Sequence, residues 1–209
     1  MKEYYDTRAP EYDEWYLGEG VFARRDRPGW EQDVRALATT LAALPAAPTL
    51  DVACGTGFLT QHLAGPITAL DQSERMLAVA RRRVPNARLI NGDALALDFD
   101  GDAFGRVFTG HFYGHLSLDA RSRFVAQARR VAAELIVVDS ARRPDHDREE
   151  WQERVLNDGS RYTVYKRYFD PEELVSELGG GSVLHAGPWF VAVRSPRAAG
   201  RGGHRGEHR

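Results

Sequence analysis

The chain has 209 residues, of which 43% are hydrophobic, and a formal net charge of −2. This length fits one domain that buries a core of its own, and the near-neutral charge leaves no large electrostatic footprint for nucleic acid. The single cysteine excludes an internal disulfide and a cysteine-based zinc site. No apolar run approaches the ~18 residues of a membrane helix, and the first residues do not resemble a signal peptide. We therefore expect a cytoplasmic protein without membrane contact.

The N-terminal part of the chain carries helical signals. Residues 2–15 combine these signals with several aromatic side chains, and residues 31–44 place apolar side chains on one helical face. Pro45 and Pro48 then end the second helix. The pattern predicts a helical segment over residues 1–45 that packs on the rest of the chain.

Strands and helices alternate through the middle of the chain. The predicted strands are residues 49–53, 67–71, 87–91, 106–109 and 134–139, and the helices between them are residues 57–63, 73–83 and 119–131. Ser73 is a suitable N-cap for the second of these helices and Asp119 for the third. The alternation predicts a parallel sheet with helices on both faces.

The pattern changes after the fifth predicted strand. Residues 141–158 are highly charged, and residues 161–169 alternate aromatic and polar side chains, as in an exposed hairpin or the edge of a lid. Asp170 then begins a short helix that ends in three glycines. Two final strands are predicted over residues 182–186 and 189–194.

These elements divide the chain into three parts. We expect a core over residues 46–194, in which residues 141–170 are an insertion. Residues 195–209 are rich in Gly, Arg and His and have no apolar periodicity, so we predict a disordered tail.

The most informative segment is Thr49-Leu-Asp-Val-Ala-Cys-Gly-Thr-Gly-Phe-Leu-Thr60. A short strand ends near Asp51, and Gly55 and Gly57 let the backbone turn sharply and approach a ligand more closely than a Cβ atom would allow. Asp71 ends the next strand about twenty residues beyond Asp51, the spacing at which an acidic residue meets a ribose hydroxyl. The segment therefore indicates a site for an adenosine-containing cofactor.

The glycine spacing distinguishes between cofactors. The nicotinamide fingerprint G-x-G-x-x-G needs a third glycine so that helix and strand pack tightly, but counting from Gly55 that position is Thr60. Counted from Ala53, with the acidic Asp51 before it, the segment resembles motif I of the class I S-adenosylmethionine-dependent methyltransferases, E/D-x-G-x-G-x-G. Ala53 departs from this motif: a small residue fits there if its φ is negative and is strained if its φ is positive.

The resemblance to the class I methyltransferases covers most of residues 1–194. Asp71 resembles the acidic residue that binds both ribose hydroxyls, Met76 the apolar side chain beside the adenine, and Asp93 the residue that accepts from the adenine amino group. Residues 104–115 resemble the fourth strand and the loop where the methyl acceptor sits. The resemblance implies an α/β fold, with a Rossmann-like, doubly wound, mostly parallel seven-stranded sheet, helices on both faces, an antiparallel last strand and an N-terminal helical lid.

The resemblance also implies S-adenosylmethionine as the cofactor, with S-adenosylhomocysteine as the product. It makes residues 1–45 the lid and residues 141–170 the acceptor side of the site. The residues predicted at the cofactor are Tyr5, Tyr12, Asp51, Ala53, Cys54, Gly55, Thr56, Gly57, Asp71, Gln72, Met76, Gly92, Asp93, Ala94, Thr109 and Gly110. We interpret Cys54 as a small residue that contacts the cofactor through its backbone, since no histidine neighbours it in sequence to make a catalytic thiol.

The implied function is methyl transfer to a small-molecule acceptor by in-line displacement, in which the protein mainly aligns and desolvates the reactants. A base helps where the acceptor is protonated at neutral pH, and histidine suits that task. The catalytic candidates are His111 and His115, in the loop after the fourth strand. We favour His111 as the base because it lies nearer the strand end, and interpret His115 more readily as a structural histidine.

Aromatic residues predict contacts with the acceptor. The substrate candidates are Trp15, Tyr16, Tyr113 and Tyr168. For the N-terminal aromatics, a flap that shields the sulfonium and a helix face packed on the sheet edge are compatible interpretations. Four arginines follow the fifth strand: Arg142, Arg143, Arg148 and Arg167. They could bind a substrate carboxylate or phosphate, but we favour a solvated charged face.

Three other functions compete with this one. The missing third glycine disfavours a nicotinamide-dependent oxidoreductase. A nucleic-acid methyltransferase is disfavoured because Gly110-His-Phe-Tyr-Gly stands where base methylases have Asn/Asp-Pro-Pro-Tyr/Phe. The intact Asp71 and Asp93 argue against a catalytically inactive nucleoside-binding partner protein. We expect a small-molecule acceptor, no nucleic acid, no metal, and a monomer or homodimer.

Overall fold

The computed structural model describes residues 1–197, which contain nine strands. They are β1 (Thr49–Val52), β2 (Ile67–Asp71), β3 (Arg88–Asn91), β4 (Phe104–Gly110), β5 (Ala132–Ser140), β6 (Glu149–Val155), β7 (Arg161–Arg167), β8 (Ser182–Ala186) and β9 (Phe190–Pro196). Seven of them form one sheet in the order β3-β2-β1-β4-β5-β9-β8, and β6 and β7 form a separate hairpin.

The direction of the strands confirms the predicted sheet. β3, β2, β1, β4 and β5 run parallel, whereas β9 lies between β5 and β8 and is antiparallel to both. The sheet is therefore mostly parallel and seven-stranded, with an antiparallel last strand. Because parallel strands point the same way, the carboxyl ends of β1 to β5 meet at one edge, where open α/β sheets bind ligands.

Helices cover both faces of the sheet. They are α1 (Lys2–Arg8), α2 (Glu14–Leu17), α3 (Trp30–Ala42), α4 (Glu74–Arg83), α5 (Leu118–Val131) and α6 (Pro171–Glu177). Neighbouring residues of β4 point to opposite faces: Val107 packs in one cluster with Phe124 of α5, and Phe108 in another with Leu41 of α3. None of the described helices is long and apolar enough to cross a membrane.

The helix predicted over residues 57–63 is wrong. Only Thr60–His62 is helical, as a single 3₁₀ turn. Gly57 has a φ of +75°, outside the helical region, and Leu63 is already extended. The turn that follows β1 therefore leaves too few residues for an α-helix.

The N-cap of helix α5 lies two residues earlier than predicted. The Ser117 hydroxyl accepts a hydrogen bond from the Ala120 N–H at 3.3 Å, so Ser117 is the N-cap. Asp119 lies instead in the first helical turn, where its negative charge faces the positive end of the helix dipole.

The last strand extends into the predicted tail. Ser195 of β9 pairs with Leu135 of β5, and its hydroxyl donates a 3.0 Å hydrogen bond to the Leu178 carbonyl. Ser195 and Pro196 thus belong to the sheet rather than to the tail. The rest of that prediction, residues 198–209, lies outside the described residues.

The N-terminal segment is tied to the turns that follow β1 and β2. The Ser73 hydroxyl donates to the Asp6 carboxylate at 2.6 Å, and the Thr56 hydroxyl donates to Asp13 at 2.6 Å. Arg83 of α4 also donates to Asp13, at 2.5 Å. Another hydrogen bond joins this segment to the turn of the β6–β7 hairpin. Residues 1–17 therefore lie between the carboxyl edge of the sheet and the hairpin.

Candidate active site

A cavity of about 210 Å³ lies at the carboxyl edge of the parallel strands, and we call it the first cavity. Eleven of the predicted site residues line it: Tyr5, Tyr12, Ala53, Gly55, Asp71, Gln72, Asp93, Ala94, Gly110, His111 and His115. They follow the ends of β1 to β4 or belong to the N-terminal segment. The fold therefore brings together residues that are far apart in the chain.

Four residues that were not predicted also line the first cavity: Met1, Leu95, Phe112 and Leu116. Leu95 and Phe112 each directly follow a predicted site residue, so the motifs contained a signal for them. Met1 and Leu116 reach the cavity through packing between distant segments, which no local pattern reports.

The turn after β1 has the backbone conformation that its small residues permit. Ala53, Gly55 and Gly57 have φ values of +58°, +55° and +75°. At Ala53 this conformation strains the backbone, at a cost of roughly 1–2 kcal/mol. Gly57 faces α4, where an added Cβ atom would lie 3.4 Å from Val84. Gly57 therefore supports the turn from behind, whereas Ala53 and Gly55 face the cavity.

The turn holds the Asp71 carboxylate in place. Its Oδ2 accepts the Gly55 N–H at 2.9 Å, and its Oδ1 accepts the Ser73 N–H at 2.9 Å. Burial raises the pKa of Asp71, and these backbone hydrogen bonds act in the opposite direction. Each oxygen keeps a free lone pair, so Asp71 is a pre-positioned acceptor for a pair of ligand hydroxyls.

Three predicted cofactor residues form hydrogen bonds behind the first cavity and do not line it. Asp51 is 1% exposed and accepts a 2.5 Å hydrogen bond from the Thr60 hydroxyl. The Thr109 hydroxyl donates to the Val52 carbonyl at 2.8 Å. Thr56, as described above, is bonded to the N-terminal segment. None of these side chains lines the first cavity.

Three further predicted residues also lie behind the first cavity rather than facing it. Met76 is fully buried, and an added Cβ atom at Gly92 would lie 3.0 Å from Leu70. Cys54 is half-buried, and burial raises the pKa of its thiol, which keeps it protonated.

His111 is a buried histidine without a hydrogen bond. Its two ring nitrogens have no partner within residues 1–197, and its Nδ1 lies 3.9 Å from Oδ1 of Asp139. The Trp15 ring packs edge-on against it, with centroids 4.8 Å apart. Burial lowers the pKa of His111 to about 3, so the ring is neutral at pH 7. A φ of +57° strains its backbone.

His115 is oriented by a backbone carbonyl. Its Nδ1 lies 2.7 Å from the Tyr165 carbonyl oxygen, and because that oxygen only accepts, Nδ1 carries the proton. Nε2 is then the basic nitrogen. Burial lowers the pKa of His115 to about 3. Both histidines thus face the first cavity as neutral imidazoles, and the burial that keeps them neutral also makes them weak bases.

The structure separates the four predicted substrate residues. Tyr16 stacks on Phe58, with centroids 3.9 Å apart, and the Tyr113 hydroxyl donates to Glu177 at 2.9 Å. Neither faces the first cavity. Trp15 and Tyr168 instead line a second cavity of about 460 Å³, next to the first.

A buried ion pair stands between the two cavities. The Lys166 ammonium, which lines the second cavity, donates to Asp139, and Asp139 also accepts the Gly114 N–H at 2.7 Å and the Ser140 N–H at 2.7 Å. Sequence reasoning missed Lys166. The available signal was its position two residues after Val164 on an alternating strand, which places both on the same buried face.

Metal-binding groups do not accompany this site. Within residues 1–197, no three His, Cys, Asp or Glu side chains are placed to hold a metal ion together. The described chemistry consists of fixed carboxylates, neutral histidines, aromatic rings and the cations of the second cavity.

The sheet order, the strained turn after β1 and the acidic residue at the end of β2 together define a Rossmann-like, nucleoside-binding methyltransferase fold. Residues 49–134 match the family described as "Methyltransferase domain". The solved "DhpI-SAM-HEP complex" is similar to 93% of this chain and 95% of that one, with a TM-score of 0.71 and 27% identity. The "DhpI-SAH complex structure" gives a TM-score of 0.70 at 28% identity, over 94% of this chain and 95% of that one.

Curated relatives match part of the chain. A dTDP-3-amino-3,6-dideoxy-alpha-D-glucopyranose N,N-dimethyltransferase of Streptomyces fradiae is 42% identical over 117 residues, which are 47% of this chain and 44% of that protein. A demethylmenaquinone methyltransferase of Lysinibacillus sphaericus is 32% identical over 119 residues, covering 53% and 48%. The chain thus spans about half the length of these relatives. Residues 49–134 thus match a methyltransferase domain, and over nearly its whole length the chain is similar in fold to solved structures titled as complexes with SAM and with SAH.

Proposed function

We propose that this protein transfers a methyl group from S-adenosylmethionine to a small-molecule acceptor. The observation that carries the proposal is the Asp71 carboxylate, held by two backbone N–H groups in the same cavity as the turn after β1. Similar solved proteins are complexes with SAM and with SAH, by their titles.

The residues of the first cavity fit this cofactor. Asp71 presents acceptors for the two ribose hydroxyls, and Asp93 presents a carboxylate whose Oδ1 also accepts the Leu95 N–H at 2.8 Å. Gly55 lets the backbone approach the ligand, and the Tyr12 ring lies 3.8 Å from the position of a Cβ atom there. Tyr5 and Tyr12 would cover the bound cofactor from the lid.

When bound, S-adenosylmethionine supplies an electrophilic methyl group on a positively charged sulfur. The protein then needs to align the acceptor, exclude water and remove a proton where the acceptor carries one. The aromatic rings around His111 keep this region apolar. His111 and His115, both neutral, are the groups available to take the proton.

Two alternatives make different demands on the turn. A nicotinamide cofactor needs a glycine at the position of Thr60, and here the Thr60 side chain is used to bond Asp51. An inactive nucleoside-binding protein would not need a proton acceptor, whereas His111 lines the cavity and its two ring nitrogens have no partner within residues 1–197. Both observations favour the methyltransferase.

We further propose that the acceptor is a free small molecule rather than a nucleic acid. The chain carries a net charge of −2, and the cations near the site gather around the second cavity rather than along a stripe. A cytoplasmic location, the division into a lid over residues 1–45 and a core over residues 46–194, and the choice between monomer and homodimer stay predictions.

Calorimetric titration tests the proposed cofactor. We expect S-adenosylmethionine and S-adenosylhomocysteine to bind the wild-type protein, NADH not to bind, and the Asp71→Ala variant to lose at least 100-fold in affinity. Asp98→Ala, an exposed acidic residue that does not line the cavity, is the matched control and should bind like the wild type. Binding of NADH alone, or unchanged binding by Asp71→Ala, would contradict the proposal.

A further inference from the structure

The second cavity is rich in positive charge. Its cationic side chains are Arg25, Arg27, Arg143, Arg154 and Lys166. The two carboxylates that line it are Glu150 and Glu153, and Glu153 already pairs with Arg161 at 2.5 Å. The lining therefore carries more positive charge than its own carboxylates balance.

Three of these cations have no carboxylate partner in the part of the chain that the structure describes. Arg143 pairs with Asp145 at 2.8 Å, and Lys166 pairs with Asp139. By contrast, no carboxylate oxygen in residues 1–197 lies within 4.0 Å of the guanidinium groups of Arg25, Arg27 and Arg154. Arg25 is exposed to water, whereas Arg27 and Arg154 are half-buried. A charge held partly away from water without a partner is costly.

Arg154 is the least satisfied of the three. It projects from β6 into the second cavity, and its buried Nε has no hydrogen-bond partner among the described residues. Burial lowers its pKa, so the surroundings disfavour the charge that the guanidinium nevertheless keeps. The group has the properties of a binding residue whose partner lies outside residues 1–197.

A third cavity, of about 660 Å³ beside Tyr165, shows how arginines lining a cavity are paired with carboxylates. It is also lined by arginines, but these are paired: Arg121 with Glu177 at 2.6 Å, and Arg148 with Glu173. Arg167 there lies 3.1 Å from Glu173. Arginines in this part of the fold are therefore neutralised by glutamates where they have a structural role, and the second cavity lacks that neutralisation.

The second cavity is next to the proposed reaction site. Trp15 lines it and contacts the His111 ring of the first cavity, with centroids 4.8 Å apart. Lys166 lines it and bonds Asp139, whose Oδ1 lies 3.9 Å from His111. A molecule in the second cavity would thus lie on the other side of a single layer of side chains from the first.

We propose that the second cavity binds the anionic group of the methyl acceptor, a carboxylate or a phosphoryl group held by Arg154 and Arg27, and that the reacting end of the acceptor extends past Trp15 into the first cavity. This inference rests on the proposed methyltransferase function. A guanidinium group offers parallel N–H donors that match the oxygens of either anion. The tryptophans of the cavity would contact the apolar part of the same molecule.

Tryptophan fluorescence tests the inference directly, because all four tryptophans of the chain, Trp15, Trp30, Trp151 and Trp189, line the second cavity. With saturating S-adenosylhomocysteine, we expect propylphosphonate or butanoate to change the fluorescence in a saturable way, and the neutral butanamide to have no effect. The stronger of the two anions then identifies the anionic group.

Three arginine variants supply the test and its control. Arg154→Gln should weaken anion binding at least tenfold, and Arg154→Lys should restore part of it. Arg123→Gln removes an exposed arginine of α5 that does not line the second cavity, and should bind like the wild type. Equal anion binding by Arg154→Gln and wild type would overturn the inference, as would equal binding of butanamide and the anions.

Calorimetry with S-adenosylhomocysteine on the same proteins separates the two proposals. If the cofactor product binds but neither anion does, the inference fails and the methyltransferase function stands. If the wild type does not bind the cofactor product, both fail. Normal binding of S-adenosylhomocysteine by Arg154→Gln would also show that this variant is folded at its cofactor site.

Discussion

Two aspartates are buried to the same degree in the central sheet, yet their carboxyl groups have opposite pKa shifts. Asp51 on β1 is 1% exposed, and Asp139 on β5 is 0% exposed. Asp51 has a hydroxyl partner, from Thr60, and burial raises its pKa to about 7. Burial alone would raise the pKa of Asp139 as well, but Lys166 holds it below its ordinary value. The neighbour, and not the depth of burial, decides which form of the carboxyl group is stable.

The comparison extends to the two cavities. Around the first cavity, the carboxylates accept hydrogen bonds from backbone N–H groups and hydroxyls, as at Asp71 and Asp51. Around the second, side chains with full charges face one another, as in the pair of Lys166 and Asp139. The cofactor side therefore depends on backbone geometry, and the acceptor side on a balance of charges.

The largest expected effect comes from breaking the charge balance at Asp139. Asp139→Asn leaves Lys166 buried without a counter-charge, which should lower the free energy of unfolding by about 3–5 kcal/mol. Adding Lys166→Met should recover most of that loss, because the unpaired charge is gone. Urea unfolding at pH 7 measures both variants. A double variant as unstable as the single one would show that the charge is not the cause.

Asp51→Asn is the matched substitution on the cofactor side. Asp51 has no cation to lose, and its raised pKa already makes the neutral carboxyl accessible near pH 7. We expect a loss below ~1 kcal/mol, within the range of a substitution that keeps its hydrogen bond. A loss as large as that of Asp139→Asn would contradict the comparison.

The buried histidines and the buried Asp51 should also change the stability in opposite directions as the pH falls. His111 and His115 have pKa values lowered to about 3. Below the ordinary pKa of about 6.5, the unfolded chain binds protons that the folded one does not, so stability is lost as the pH falls. Between pH 7.5 and 5, each histidine should remove about 2 kcal/mol from the free energy of unfolding.

Asp51 acts with the opposite sign. Its folded pKa of about 7 lies above its ordinary value, so the folded protein binds a proton first and gains stability as the pH falls below 7. Urea unfolding from pH 7.5 to 5 should therefore show a steeper loss for Asp51→Asn than for the wild type, and a shallower one for His111→Asn. Parallel pH profiles for the three proteins would refute these assignments.

A smaller effect is expected on catalysis. His111→Asn removes the proposed base, and asparagine tolerates the positive φ at that position. Release of S-adenosylhomocysteine, assayed with hydroxyalkyl and aminoalkyl carboxylates and phosphonates, should slow at least tenfold, or ~1.4 kcal/mol, with unchanged cofactor affinity. His62→Asn, on the 3₁₀ turn away from both cavities, is the control. Undiminished turnover would assign the proton transfer to His115 or to solvent.

The smallest expected effect concerns the strained turn. Ala53→Gly relieves a positive φ costing roughly 1–2 kcal/mol but makes the unfolded chain more flexible, by about 0.4–1 kcal/mol. The free energy of unfolding should rise by less than ~1 kcal/mol, and the melting temperature by about 1–3 °C. Ala43→Gly, at an ordinary φ of −80°, should instead lower the melting temperature. A lower melting temperature for Ala53→Gly would mean that the alanine is not strained.

The cofactor side could be predicted because its signals are local. The turn after β1, Asp71 and Asp93 each lie within a few residues of a strand end, and parallel strands bring those ends together. The helix over residues 57–63 was predicted wrongly because two glycines of the same turn adopt positive φ values, which periodicity does not report. The turn that indicated the cofactor site is therefore also the reason why the helix prediction was wrong.

The acceptor side could be predicted only in part because its contacts are distant in sequence. Arg27 and Arg154 both line the second cavity, although Arg27 precedes β1 in the sequence and Arg154 follows β5. Nothing near either residue distinguishes it from a solvated arginine. Trp15 and Tyr168 were predicted as substrate residues from their aromatic side chains. The charged residues that surround them were not predicted.

The position of β9 has a consequence for the order of folding. β8 precedes β9 in the chain but joins the sheet only through it. The parallel strands β1 to β5 can pair during synthesis, whereas β8 has to wait for β9, and β9 brings Trp189 and Phe190 beside Trp30. In cotranslational folding, we expect the residues of the first cavity to become protected from proteases before those of the second. The newly made chain would then form its nucleoside-binding cavity before its arginine-rich cavity.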